Sequence, residues 1–96
     1  SSSEEATKIG KALVERRLAA CCSIIPGIQS IYRWENEVTE DAEVMLLIKT
    51  LKSAESAIVE AVKSLHSYNV PEIISVEIHG GNEKYFQWIN ESVNLD

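Results

Sequence analysis

Apolar positions set the first element. Ala6, Ile9, Leu13 and Ala20 fall near one face at helical spacing. Ser2 followed by Glu5 has the form of a capping box, which would satisfy amides at a helix start. A helix is expected over about 3–18, weakened modestly by Gly10. From Ala20 the pattern turns β-prone. Cys21 to Ile25 reads as a strand, and Pro26-Gly27 as a bend within one longer strand that continues from Ile28 to Trp34. Ser30, Tyr32 and Trp34 share a face there. Glu35-Asn36-Glu37 reads as a tight turn, since Asn tolerates positive φ.

The clearest strand is Glu43 to Thr50. Val44, Leu46 and Ile48 point one way; Met45 and Leu47 point the other. Both faces are apolar, whereas a sheet covered by helices on one side should present one polar face. A second copy of the chain is the expected cover, with a loop or the C-terminal helix as the alternative. Helix two is expected from about Ser53 to His66, with Ala54, Ala57, Ile58, Ala61, Val62 and Leu65 as its stripe. Ile73 to His79 alternates Ile74, Val76 and Ile78 against Ser75, Glu77 and His79, and reads as a third β segment. Gly80-Gly81-Asn82 breaks it, and Tyr85, Phe86, Ile89 and Val93 mark a last short helix.

The order α-β-β-α-β-α is a βαββαβ unit without its first strand and with an added terminal helix. The expected class is α+β: a ferredoxin-like two-layer sandwich. Its first strand would be central, so the natural protein is expected to begin before Ser1. The chain has 96 residues, one domain's worth. Its net charge of −6 lacks the basic face that nucleic acid or an anionic membrane would require. No apolar run reaches transmembrane length, so direct membrane insertion is not expected. The adjacent Cys21 and Cys22 would make a strained bridge, and free thiols suit a reducing compartment such as the cytoplasm.

Candidate chemistry is sparse. Cys21 and Cys22 are soft-metal or redox groups, or small core residues. His66 closes helix two, where a cation suits the dipole, or faces a ligand. His79 reads as a solvated strand end. Lys49, in an apolar strand, is either an edge residue reaching water or a charge lining an interface cleft. No Ser-His-Asp or Cys-x-x-Cys pattern stands out, so no catalytic residue is assigned.

Several motifs nevertheless occur in one order: Leu18-Ala19-Ala20-Cys21, Pro26, Ser30-Ile31-Tyr32-Arg33-Trp34, Glu43 to Thr50, His66-Ser67-Tyr68-Asn69-Val70-Pro71-Glu72, and Tyr85-Phe86-Gln87-Trp88. Together they resemble the CutA divalent-cation tolerance family over nearly the whole chain. The resemblance implies a homotrimer of ferredoxin-like subunits, with an architecture like that of the PII signalling proteins. It implies a link to divalent metals, copper(II) among them, no settled enzymatic activity, and a protein partner in animals. The implied site is a cleft between subunits, with Cys21 and His66 toward a metal and Trp34, Lys49, Tyr68 and Glu72 toward a bound ligand. Asn36 stands where the family's turn usually has glycine, and Ser67 replaces a proline. Of the family's two adjacent histidines only His66 is present, because Leu65 occupies the other position. The alternatives are a trimeric scaffold or small-molecule sensor, and an acylphosphatase-like hydrolase.

Overall fold

The structure, a computed structural model, describes residues 2–68 and 70–95. Helix α1 spans Ser3–Glu15. The Ser2 side chain accepts the Glu5 N–H at 3.1 Å, half of the expected capping box. The helix ends three residues earlier than its apolar pattern suggests. Arg17 takes φ +57°, its N–H donates to the Val14 carbonyl, and the Leu18 N–H reaches back to Leu13. This is a Schellman stop with arginine where glycine is usual. Burial of Leu18 beside Leu13 in the same core cluster offsets the left-handed cost at Arg17.

Strands β1, Cys21–Trp34, and β2, Glu37–Lys49, form one antiparallel hairpin. The register slips between Ile25 and Ile28, where Gly27 takes φ +75°. Pro26-Gly27 is therefore a bulge inside one strand, as its sequence suggests. At the hairpin tip, Glu35 and Asn36 both have positive φ, which a two-residue turn between right-twisted strands requires.

A 3-10 turn at Lys52–Ala54 leads into α2, Glu55–Leu65. Helix α3 covers Glu83–Ser92, capped by the Asn82 side chain on the Lys84 N–H. Leu13, Ala54, Ile58, Ala61, Val62 and Ile89 centre the core, with Cys22, Leu46 and Ile48 packed against it from the sheet. Gly10 is buried because α1 lies close on β1: a Cβ there would stand 3.3 Å from that of Cys22.

One expected element does not form. Among the described residues the sheet has two strands, and Ile73–His79 is not a third. An alternating pattern becomes a strand only when a neighbour completes its ladder, and none is present here. Ile74, Val76 and Ile78 are left 80%, 87% and 60% exposed. The segment is tied to the start of α2 by Ser75 Oγ donating to Glu55 at 2.9 Å and by a Lys52–Glu77 pair at 3.5 Å.

Candidate functional site

Directly opposed residues of an antiparallel pair share a face. Cys21 opposes Lys49, Ser23 opposes Leu47 and Ile25 opposes Met45, so all six lie on one face of the hairpin. Cys22, Leu46 and Ile48 lie on the other, toward the helices. The first, outer face is thus the one that no helix covers. Lys49 Nζ lies 2.5 Å from Ser23 Oγ on it, half-buried and held along the sheet.

Trp34 occupies the far end of the same strand, opposite Glu37 and 64% exposed. At the rise of a β-strand it stands roughly 40 Å from Cys21. Glu72 is exposed beyond α2. The fold therefore joins Cys21 with Lys49, and His66 with Tyr68, but leaves Trp34 distant from Cys21 within one chain.

The second group is more tightly built. His66 caps α2, its N–H donating to Val62 at 2.8 Å before the backbone turns extended. Its Nδ1 accepts the Tyr68 N–H at 3.1 Å, and the two rings lie 4.9 Å apart, tilted by 59°. Its Nε2 faces Glu5 Oε1 at 3.6 Å. The other Glu5 oxygen accepts the Ser67 N–H at 3.1 Å. The His66 and Glu5 side chains are only 13% and 19% exposed. Hydrogen bonding from Ser67 holds the Glu5 carboxyl below the usual carboxylate range; desolvation opposes this, and His66 reinforces it when protonated.

Glu5 was legible in the sequence only as a capping residue. Its side chain instead crosses to the α2 terminus, 62 positions along the chain. Nothing in local spacing encodes that reach.

Tyr32 adds an acidic surface. Its hydroxyl bonds the Asp41 carboxylate across the hairpin, which raises the phenol above its ordinary range; burial and the charges of Asp41, Glu43 and Tyr68 add to the shift. Burial likewise pushes the Cys22 thiol up, with Cys21 adding and Lys49 opposing. Cys22 is thus a packed, protonated thiol at neutral pH and a poor nucleophile.

Copper(II) needs several convergent N, O or S donors. Among the described residues no three His, Cys, Asp or Glu side chains gather to hold a metal ion. Both His66 ring nitrogens already face partners within the chain. One chain therefore does not fit a resident cation. Two surface depressions, of 360 and 410 Å³, lie beside Glu5 and Leu65 and between Arg17 and Trp88; neither is lined by any of the six candidate residues. Among the described residues no helix is long and apolar enough to cross a membrane.

These elements define a small α+β domain whose hairpin is covered on one face only. Comparison places it. Residues 1–92 match the family described as CutA1 divalent ion tolerance protein, and the chain belongs to that family. A divalent-cation tolerance protein CutA from Thermus thermophilus is 53% identical over 91 residues, covering 95% of this chain and 88% of that protein. The solved Thermus structure superposes with a TM-score of 0.93 at 52% identity, covering 97% of this chain and 90% of that one. The CutA1 structure from Oryza sativa gives 0.94 at 42% identity, covering 99% and 87%. The chain spans about half the length of a rice relative named as chloroplastic, at 45% identity over 89 residues and 93% of this chain.

Proposed function

We propose that the chain is a subunit of a homotrimer that takes part in tolerance of divalent cations, through a cleft between subunits and without catalysis. Family membership supports the cation link. The observation that carries the assembly is the outer face of the hairpin: Met45 and Leu47 are each 45% exposed in a single chain. Apolar groups so placed favour burial against another copy. A three-fold arrangement of ferredoxin-like, PII-like subunits would do this and bring the distant Trp34 of one copy toward another's Cys21 and Lys49.

In this reading Cys21 supplies a soft donor for a cation such as copper(II), with further donors coming from neighbouring copies. Lys49, Tyr68, Glu72 and Trp34 border the cleft, and His66 stands behind Tyr68. Free thiols at Cys21 and Cys22 suit a reducing compartment such as the cytoplasm.

Native mass spectrometry with and without one equivalent of copper(II) per chain tests this. A trimer that takes up copper, and loses it on Cys21→Ser, supports the reading. A trimer indifferent to copper replaces it with a scaffold or small-molecule sensor, which the lack of a donor cluster among the described residues of one chain favours. A monomer overturns the assembly.

A further inference from the structure

A neutral imidazole has one N–H donor and one bare acceptor nitrogen. In His66 the roles are assigned by its neighbours. Nδ1 accepts the Tyr68 N–H at 3.1 Å, so Nδ1 carries no proton and the ring hydrogen sits on Nε2. Nε2 faces Glu5 Oε1 at 3.6 Å, and that oxygen is buried with no hydrogen-bond partner. The orphan acceptor and the N–H therefore answer each other across a gap slightly longer than a hydrogen bond. A buried carboxylate oxygen is costly to leave unmatched, which favours this ring orientation over the flipped one.

We propose that Glu5 and His66 form a clasp that fixes the Nε2–H tautomer and positions Tyr68 at the cleft, so that His66 serves as a positioning residue and not as a cation donor. Donation to a metal through Nε2 would require that nitrogen to be bare. Its proton would move to Nδ1, which could then no longer accept the Tyr68 amide. The clasp spans the N-terminal turn of α1, the end of α2 and the segment after it: Glu5 also holds the Ser67 N–H at 3.1 Å. What it presents is the Tyr68 ring, 55% exposed, with its centroid 4.9 Å from that of His66. The inference rests on the cleft reading for the use of Tyr68, but its geometry lies within one chain.

Long-range ¹H–¹⁵N NMR of the labelled full chain reads the tautomer directly. The expected spectrum shows His66 protonated at Nε2 and bare at Nδ1. Glu5→Ala should accelerate hydrogen exchange of the Ser67 and Tyr68 amides about tenfold, with Asn94, bonded to the Arg17 carbonyl, unchanged. Glu5→Gln should restore most of the protection, because its amide oxygen can still accept. An Nδ1-protonated ring, or unchanged Tyr68 exchange in Glu5→Ala, overturns the clasp. Copper(II) uptake counted by native mass spectrometry in wild type, His66→Ala and Glu5→Ala separates the two readings. Uptake that His66→Ala retains supports both. Uptake lost in His66→Ala but kept in Glu5→Ala removes the positioning role and keeps the metal reading. Absence of uptake removes the metal reading, while the tautomer and exchange results still decide the clasp.

Discussion

The two faces of the hairpin carry similar side chains in very different surroundings. Toward the helices, Cys22, Leu46 and Ile48 pack on a core that includes the fully buried Leu13. On the outer face, Cys21, Met45 and Leu47 meet no helix, and Lys49 lies along the sheet on Ser23. Both sides of the alternation carry apolar positions, the outer one interrupted by Ser23 and Lys49. What differs is that α1 and α2 are connected so as to cover one side alone. An apolar side chain stabilises the chain where the fold supplies a neighbour, and drives association where it does not.

Substitutions sharpen that contrast. Leu13→Ala should cost about 2–5 kcal/mol by urea unfolding, from lost transfer energy and a residual cavity. Met45→Glu with Leu47→Glu should leave the circular dichroism of the chain unchanged yet dissociate the assembly in native mass spectrometry. A double variant that remains trimeric would remove the outer face from the proposed interface. Gly10→Ala should cost about 1 kcal/mol despite better helix propensity, since the new Cβ meets the Cβ of Cys22 at 3.3 Å, close to backbone that yields little.

Smaller effects follow from the titrating groups. With its pKa raised by burial, the Cys22 thiol should alkylate at pH 7.5 more slowly than a free cysteine. A raised folded-state pKa gives stability that is present below the unfolded value and lost as pH rises through the folded one, so this contribution fades at alkaline pH. For Glu5 the sign reverses. Its folded pKa is lowered, so its contribution is present above the ordinary carboxylate value and lost as pH falls through the depressed one. The stability gap between wild type and Glu5→Gln should close on acidification. A gap that stays constant down to pH 2 would show that the carboxylate charge does not matter at the clasp.

How far these features were readable depends on their range. Ser2 declared the start of α1, and Asn36 the hairpin tip, because each acts within a few residues. The end of α1 was misread toward residue 18. The stop depends on Leu18 reaching the core beside Leu13, and Arg17 gives no sign of the left-handed conformation it adopts. Ile73–His79 has a strand's alternation, but pairing is a property of two segments, and the second is not among the described strands. For the candidate site, residue types were legible and their grouping was not: Cys21 lies with Lys49, His66 with Tyr68, and Trp34 apart.

The sequence by itself determined the α+β class, a bend at Pro26-Gly27 within one long strand, the doubly apolar β2 and the family, because periodicity, turn chemistry and motif order are written along the chain. Only the tertiary structure decided which sheet face lies bare, and that Glu5, placed as a helix cap, reaches His66 and Ser67 instead. Contacts between residues 62 positions apart follow from the packing of α1 against the end of α2, and no local pattern records them.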